Sequence, residues 1–397
     1  MATSLHRRSP APGSLRIALV GNHPPRRCGI ATYTRDVAVA LRAAGHVVHV
    51  TAMIEPGQTT CERKTIGVDS EVRQDDRADY RAAGHRIASW HPDIVFVQHE
   101  FGIFGGLAGI WLTDLLDAAG VPSVVQLHTV LAEPDHHQRA AMKALRRRAA
   151  SFVVMAARGR DMLAATGLAG PSVQVIPHGT PDRPRVRPSD MRGRLDWPER
   201  PTMLTFGLIS PGKGIETAIA ALPAILERVP DASYVLLGAT HPTLLAREGE
   251  RYRNGLVDLA RRLGVEAALR MENRYLDDSS LCDALQAADV YVTPYLNRAQ
   301  ITSGTLAYAL ACGVPTVSTP YWHAEDVLSS ESLFPFGDAA ALADRAITLL
   351  TRPDLRAASS DRVWTASRPA IWRDVAHRLD TALRAAAGIG APLIAAE

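Results

Sequence analysis

The sequence predicts a two-domain α/β protein, because short β-branched apolar runs alternate with helical patterns in two successive series along the chain. The chain has 397 residues, which is enough for two or three domains of ordinary size. A stretch rich in proline and arginine, residues 183–201, separates the two series and is predicted to be a hinge linker. We therefore expect two parallel sheets with crossover helices and a cleft between the domains.

The first series begins with the apolar run LRIALVG at residues 15–21, which is predicted to be a buried strand. Ile30, Tyr33 and Val37 then recur at helical spacing, and Gly45 is expected to end that helix. Further strands are predicted in VVHVTAMI, DIVFVQ, PSVVQLH, SFVVMA and VQVIPHG. The first sheet should therefore have about six strands.

The second series follows the linker and predicts strands in TMLTFGL, SYVLLGA, ADVYVTPY and PTVSTPY. A last helical pattern places one apolar face along the end of the chain, formed by Ile371, Trp372, Val375, Leu379 and Leu383. The expected division is a flexible tail at 1–14, a first domain at 15–182, the linker at 183–201, a second domain at 202–367 and a C-terminal helix within 368–397.

Charge and cysteine content exclude several classes of protein. Forty-four Lys and Arg residues against 41 Asp and Glu give a net charge of +3, too near balance for a protein built around nucleic acid or anionic lipid. No stretch approaches the ~20 apolar residues that span a bilayer, and the N-terminus lacks the apolar core of a signal peptide. Cys28, Cys61, Cys282 and Cys312 are far apart, which argues against a disulfide scaffold or a zinc site. We expect a cytoplasmic enzyme with no integral membrane segment.

Polar residues follow the predicted strands of the first domain, where ligands of open parallel sheets bind. The candidates for binding an acceptor or other hydroxyl groups are His23, His99, Glu100, His128 and Thr129, and Gly29 is the candidate for binding a phosphate. Gly29 would let a ligand reach backbone N–H groups at a helix start, although a turn glycine without a ligand would look the same. His99 with Glu100 suits acid–base chemistry or hydroxyl binding, or a loop-fixing hydrogen bond. No carboxylate-rich spacing accompanies the histidines, so we expect no metal site.

In the second domain, a lysine and a hydroxyl-rich helix start are the candidate phosphate ligands. Lys213 follows Gly212 at a helix entrance, where its point charge would add to the positive end of the helix, although the segment lacks the order of an ATP-binding P-loop. Ser303, Gly304 and Thr305 open an apolar helix and offer N–H groups and two hydroxyls to an anion. The alternative is that these three residues only cap the helix.

Taken together, these segments resemble family 4 of the retaining glycosyltransferases, whose GT-B fold has two Rossmann-like doubly wound domains facing a central cleft. The resemblance is carried by CGIATYTRDVAVAL, by Gly207 and Leu208 with Lys213 and Gly214, and above all by ALQAADVYVTPY followed by ACGVPTVST. It implies that the C-terminal helix crosses back to the first domain. It also implies retaining transfer of a hexose from a nucleotide-diphosphate sugar to a hydroxyl acceptor such as a sugar, glycan or small molecule. The nucleotide sugar would be a co-substrate, with no further cofactor.

Two departures from the family pattern fall on the donor side. Gln300 and Tyr308 stand where the family has a pair of glutamates, and Leu208 stands where it has an arginine beside the diphosphate. By resemblance, Gln300 and His128 would contact the donor sugar, and Tyr308 would lie at the nucleotide. Lys213 would stabilise the leaving phosphate, and His128 would complete the catalytic pair.

Two alternatives remain open. A glycoside phosphorylase would use phosphate and a sugar 1-phosphate on the same fold, and the missing carboxylate at Tyr308 suits a site with no nucleoside to hold. A non-catalytic sugar- or nucleotide-binding protein would keep the fold without turnover. The presence of Lys213, of the segment Ser303-Gly304-Thr305 and of three strand-end histidines favours an enzyme.

Overall fold

The computed structural model describes residues 13–57, 67–170 and 172–390. The described chain divides into two compact units: unit 1 runs to Gly179 and resumes at Trp372, and unit 2 is Thr180–Ile371. Each unit is a parallel β-sheet with helices connecting its strands. The predicted fold class of two Rossmann-like α/β domains is confirmed.

Helices connect most of the successive strands along the chain, as the crossovers of a parallel sheet require. The strands are β1 Arg16–Gly21, β2 Val47–Ile54, β3 Ser70–Arg73, β4 Ile94–His99, β5 Ser123–Leu127, β6 Ser151–Val154, β7 Val173–Val175, β8 Thr202–Phe206, β9 Ser233–Leu237, β10 Leu269–Glu272, β11 Val290–Thr293 and β12 Thr316–Ser318. The helices are α1 Gly29–Ala43, α2 Arg77–Ser89, α3 Leu112–Ala119, α4 His136–Arg146, α5 Ala157–Ala165, α6 Pro188–Leu195, α7 Ile215–Arg228, α8 Pro242–Glu248, α9 Arg251–Arg262, α10 Asp278–Ala287, α11 Gly304–Ala311, α12 Trp322–Val327, α13 Ala339–Thr351, α14 Pro353–Ser367 and α15 Trp372–Ala387.

The sheet of unit 1 has seven parallel strands in the order β3-β2-β1-β4-β5-β6-β7. Its central strands are buried on both faces, with Leu19, Phe96 and Val124 fully inaccessible to solvent. Helix α15 packs onto this core through Leu379 and Leu383. The sequence predicted about six strands, and β3 was missed because it is a short edge strand with only one buried side chain.

The sheet of unit 2 has five parallel strands in the order β10-β9-β8-β11-β12. Its core contains Met203, Tyr234 and Val292 from three neighbouring strands, together with Ile219 from α7. The sequence predicted four of these strands and missed β10, which pairs only with β9 at the edge and has no fully buried residue. Both missed strands therefore lie at sheet edges, where the apolar pattern is weakest.

The predicted linker, residues 183–201, differs from the expectation, since it contains α6 and lies within unit 2. Arg192 of α6 is 5% exposed, and its guanidinium donates to Asp289 Oδ2 at 3.0 Å and to Glu199 Oε1 at 2.6 Å. The predicted tail lies outside the described residues except for residues 13 and 14, as does Cys61. In the described ranges, no helix combines the length and apolar character needed to cross a membrane.

Candidate functional site

His128 lies at the carboxyl end of β5, beside Gln98 of the neighbouring strand β4. Its Nε2 is 2.9 Å from Gln98 Oε1, and because an amide oxygen can only accept, Nε2 donates and Nδ1 is left as an acceptor. Burial lowers the pKa of His128 to about 3, so the ring is neutral at neutral pH. A neutral imidazole of such low basicity is suited to accepting a hydroxyl hydrogen bond and poorly suited to removing a proton.

Tyr33 of α1 organises this edge of unit 1. It is 2% exposed, and its hydroxyl accepts a hydrogen bond of 2.8 Å from Gln126 Nε2. Its ring centroid lies 5.0 Å from that of His128, 4.7 Å from His178 and 5.2 Å from Trp372. Burial lowers the pKa of His178 to about 4. The sequence pattern placed Tyr33 only on the apolar face of the helix. A tyrosine on such a face also indicates a polar residue nearby, because a buried hydroxyl needs a hydrogen-bond partner.

His99, Glu100 and Thr129 differ from the expected hydroxyl-binding group. His99 is 0% exposed and packs between Phe101 and Phe104, with ring centroids 5.1 and 6.0 Å away. Burial lowers its pKa to about 4, and neither ring nitrogen has a hydrogen-bond partner within the described ranges. Glu100 accepts from Thr129 Oγ1 at 2.6 Å and from its neighbour's backbone N–H at 2.9 Å, and burial raises its pKa. The structure thus favours the loop-fixing role for Glu100 and Thr129.

Gly29 begins α1 at the carboxyl edge of the same sheet. Cys28 caps the helix, its Sγ accepting from the Ala31 N–H at 3.3 Å. A Cβ built on Gly29 would meet nothing within 4 Å, so its backbone lies open to a ligand. His23 is instead 6% exposed and its Nδ1 donates to the Pro24 carbonyl at 3.0 Å, with burial lowering its pKa. Of the two candidates in this loop, only Gly29 is accessible.

Lys213 lies in unit 2 at the end of the 3₁₀ turn Pro211–Lys213, just before α7. Its Nζ is 3.8 Å from the ring centroid of Tyr295, which lies in the loop after β11. The Leu296 N–H donates to the Gly212 carbonyl at 3.1 Å, so the backbones of the two loops are joined beside this contact. A cation over an aromatic face is held by the ring quadrupole without being neutralised, so the ammonium keeps its charge for an anion.

Gly214, which follows Lys213, has a left-handed φ of 62°, and a Cβ there would lie 2.0 Å from the Pro294 carbonyl oxygen. Gly214→Ala is therefore expected to lower the free energy of unfolding by about 2 to 4 kcal/mol, from the positive φ and the forced separation of the loops. Gly212→Ala is the matched control, because a Cβ at Gly212 meets nothing within 4 Å. Urea unfolding of both variants tests this, and equal losses would contradict it.

The start of α11 provides the second half of this edge. Ser303 is the N-cap, and its Oγ accepts from the Leu306 N–H at 3.3 Å. The Ser303 N–H donates to His323 Nδ1 at 2.9 Å, which corrects the expectation that this amide is open to an anion. The N–H groups of Gly304 and Thr305 have no acceptor among the described residues, as usual for the first turn of a helix. Two amides, not three, are thus available.

Gln300, Tyr308 and Leu208 mark the departures from the family pattern. The Gln300 Nε2 donates to the Thr302 carbonyl at 3.0 Å, which leaves the side-chain oxygen for other contacts. Tyr308 is 6% exposed and packs in a hydrophobic cluster with Leu204, so its ring lies in the core and not at an open edge as expected. Leu208 is half-buried in the loop after β8. The nucleotide contact expected of Tyr308 is not favoured by this position.

Tyr295 and His323 were not among the site residues predicted from the sequence. Tyr295 follows β11 and His323 lies on α12, just after β12, so both come after strands at the carboxyl edge that carries Lys213 and α11. Their position at strand ends was the available signal. The edge as a whole combines one ammonium with two helix-start amides, which is the chemistry of an anion site, while the hydroxyls of Ser303 and Thr305 are hydrogen-bonded to each other. Across the described chain, no three His, Cys, Asp or Glu side chains come together as a metal site would require.

Both halves of the chain match models of glycosyltransferase families. Residues 200–352 match the model described as glycosyl transferases group 1, and residues 28–183 match the model described as glycosyltransferase family 4. Together the two matched segments take in most of the chain.

Similar proteins include two mycobacterial mannosyltransferases. The chain is 30% identical over 149 residues to a phosphatidyl-myo-inositol mannosyltransferase of Mycobacterium leprae, covering 37% of this chain and 36% of that protein. It is 29% identical over 256 residues to a GDP-mannose-dependent alpha-(1-6)-phosphatidylinositol monomannoside mannosyltransferase of Mycobacterium tuberculosis, covering 56% and 60%. The matches thus span less than two thirds of the length of these relatives. HepE of Anabaena in complex with UDP has a similar structure, with a TM-score of 0.76, 17% identity and coverage of 94% of this chain and 100% of that one.

Proposed function

This chain belongs to the family 4-like glycosyltransferases of the GT-B fold, and from that premise we propose that it transfers a hexose from a nucleoside diphosphate sugar to a hydroxyl acceptor. The observation that carries the proposal is the anion site of unit 2, formed by Lys213 and the amides of Gly304 and Thr305. The relatives support the donor class, since one is named as GDP-mannose-dependent and HepE is described in complex with UDP-glucose. Mannose and glucose are both hexoses.

The anion site supplies what the chemistry needs. When the bond between the sugar and the β-phosphate breaks, negative charge develops on the departing diphosphate. The Lys213 ammonium and the partial positive charge at the start of α11 stabilise that charge more in the transition state than in the bound donor. These groups are fixed by their loops before the donor arrives, so little reorganisation is needed as the charge appears.

We propose that transfer proceeds with retention of the anomeric configuration, with the leaving phosphate accepting the acceptor's proton. An inverting enzyme needs a competent general base, and the polar edge of unit 1 offers poor ones. His128 and His178 have pKa values lowered by burial to about 3 and about 4. Burial raises the pKa of Glu100, but both of its oxygens already accept hydrogen bonds, from Thr129 Oγ1 and from the Phe101 N–H. The resemblance to a family of retaining enzymes points the same way.

For unit 1 we propose hydroxyl recognition. The Nδ1 of His128 is left as an acceptor and would receive a hydrogen bond from a sugar hydroxyl. The open backbone at Gly29 would accept close approach of the substrate's polar groups. In unit 2, the side-chain oxygen of Gln300 would contact the donor sugar. Each of these contacts is neutral, which suits uncharged hydroxyls.

A donor panel tests the proposed function. The purified protein is incubated with GDP-mannose, UDP-glucose and other nucleotide sugars, with and without simple sugar and glycoside acceptors, while nucleoside diphosphate release is followed. We expect release that depends on the acceptor, and a product whose anomeric configuration by NMR matches that of the donor. Phosphate-dependent breakdown of a glycoside without nucleotide would instead identify a phosphorylase. Nucleotide binding without turnover on any donor would identify a binding protein.

A further inference from the structure

The anion site of unit 2 contains a buried tyrosine that touches both of its halves. We propose that Tyr295 is a positioning residue for the donor diphosphate: its ring seats the Lys213 ammonium and its hydroxyl fixes Thr305 at the start of α11. This inference rests on the proposed function, because it concerns how the groups of that site are held in place. It assigns a role to a residue that is not itself expected to touch the substrate.

The ring of Tyr295 is a rigid seat for the lysine. Tyr295 is 1% exposed, and its ring stacks on that of Tyr321 with centroids 5.3 Å apart and an interplanar angle of 20°. Leu306 and Leu310 of α11 belong to the same hydrophobic cluster. Lys213 has a long flexible side chain, so a ring face 3.8 Å beneath its Nζ restricts where the ammonium can lie. Without the ring, nothing in this contact would keep the ammonium from extending into solvent.

The hydroxyl of Tyr295 reaches the other half of the site. It lies 2.7 Å from Thr305 Oγ1, which in turn lies 3.0 Å from Ser303 Oγ. The Ser303 N–H donates to His323 Nδ1 at 2.9 Å. Hydrogen bonds therefore run from Tyr295 through the first residues of α11 to α12, and they hold the helix start whose free amides would receive the donor diphosphate. Linked hydrogen bonds of this kind strengthen one another in a buried setting.

The loop that carries Tyr295 and the loop that carries Lys213 are also joined through their backbones. The ring and the backbone of Lys213 are therefore held at a fixed separation. Leu296, next to Tyr295, donates its N–H to Gly212, next to Lys213, at 3.1 Å. Gly214 lies so close to Pro294 that a Cβ would not fit between them. Removing the Tyr295 ring should therefore leave the loops in place while freeing the lysine side chain. The loss should fall on recognition of the β-phosphate and spare the rest of the nucleotide.

The test compares Tyr295→Phe, Tyr295→Leu and a control, Tyr234→Phe. Tyr234 is also buried, and its hydroxyl donates to Thr205 Oγ1 at 2.8 Å, so the control loses a similar hydrogen bond that involves neither Lys213 nor α11. Affinities for GDP and UDP, and for GMP and UMP, are measured by calorimetry. We expect Tyr295→Leu to weaken diphosphate binding at least ~10-fold and monophosphate binding less than ~3-fold. Tyr295→Phe should lie between wild type and Tyr295→Leu, because it keeps the ring, and Tyr234→Phe should bind as wild type does.

Equal weakening of monophosphate and diphosphate binding would overturn the positioning role, as would unchanged binding by Tyr295→Leu. A merely structural role would lower the thermal midpoint of Tyr295→Phe and Tyr234→Phe alike without changing the ratio of the two affinities. The midpoints are therefore measured alongside.

A second measurement does not depend on any variant or nucleotide. The sequence has three lysines, Lys64, Lys143 and Lys213, so a protein labelled with ¹³C-lysine gives a spectrum simple enough to assign. We expect the ε-methylene protons of Lys213 to be shifted upfield by the ring current of Tyr295, with Lys143 as the internal reference. Absence of that shift overturns the role of Tyr295 even if diphosphates bind. A wild-type protein that shows the shift but binds neither GDP nor UDP overturns the proposed function and the positioning role together.

Discussion

Replacing Lys213 with alanine is expected to reduce turnover of the nucleotide sugar by about 100-fold or more. Lys213 is the residue whose ammonium is presented by the loop before α7, and the leaving diphosphate gains charge as the glycosidic bond breaks. The family arginine that would share this task is Leu208 here, so the lysine has no cationic neighbour at that position to take over its role. The effect should appear mainly in kcat, because the charge is greatest in the transition state.

Two variants make the Lys213→Ala experiment decisive. Lys213→Arg keeps a cation that can lie over the Tyr295 ring, so it should retain more activity than Lys213→Ala. Lys143→Ala removes an exposed lysine of α4 in unit 1 and should leave the rate unchanged. Initial rates of nucleoside diphosphate release at saturating donor are compared for all three. A Lys213→Ala rate equal to wild type would remove Lys213 from the catalytic assignment.

The alternation of strands and helices located the carboxyl ends of the central strands in both sheets, but it could not tell which side chain at a strand end faces the site. Gln98 and His99 are consecutive residues of β4, so their side chains point to opposite faces of the sheet. Gln98 meets His128, whereas His99 is buried against Phe101 and Phe104. By its chemistry His99 was the more obvious candidate for the site, but Gln98 is the residue that contacts His128, the predicted ligand-binding residue.

The start of α11 shows a second reason why the site could be predicted only in part. The SGT segment correctly indicated a helix start, and Ser303 caps that helix, as in the alternative that the sequence left open. The acceptor of the Ser303 N–H is His323, twenty residues further along the chain, and no local pattern connects the two. The seat of Lys213 on Tyr295 is likewise a long-range contact, made possible by the close approach of Gly214 to Pro294. Local patterns identify helix ends and loop lysines, and tertiary contacts decide which of their groups stay available.

The family motif showed which residue, Tyr308, occupies the second glutamate position, but it did not show that the side chain of Tyr308 is buried in the core. The motif alignment fixes where a residue falls along α11, and this helix has apolar neighbours on several faces. A glutamate at that position would need hydrogen-bond or ionic partners, whereas the tyrosine ring packs in the hydrophobic cluster with Leu204. The substitution therefore changes both the chemistry and the burial of the position.

Unit 1 is expected to lose stability steeply as the pH falls from about 6.5 towards 4. Burial lowers the pKa of His99 to about 4, of His128 to about 3 and of His178 to about 4. In the unfolded chain these histidines titrate near pH ~6.5, so below that pH the unfolded state binds protons that the folded state does not. Each histidine then lowers the free energy of unfolding by about 1.4 kcal/mol per pH unit. Their stabilising effect is complete above pH ~6.5 and is lost on acidification.

Three such groups acting together lower the free energy of unfolding by about 4 kcal/mol per pH unit, against the roughly 5 to 15 kcal/mol that stabilises an ordinary domain. Urea unfolding followed by circular dichroism at pH 7, 6 and 5 measures the slope. A stability that stays flat from pH 7 to 5 would contradict the burial of these three rings in their neutral form.

His99→Phe separates this cause from general acid denaturation. His99 lies against Phe101 and Phe104, and neither of its ring nitrogens has a partner in the described structure, so a phenyl ring suits the space and leaves no polar group unsatisfied. The variant cannot take up the proton that the unfolded wild type binds at this position. Relative to wild type it should gain about 2 kcal/mol more stability at pH 5 than at pH 7, while keeping the slopes due to His128 and His178. If His99→Phe keeps the whole pH dependence of wild type, His99 is not one of the groups responsible for it.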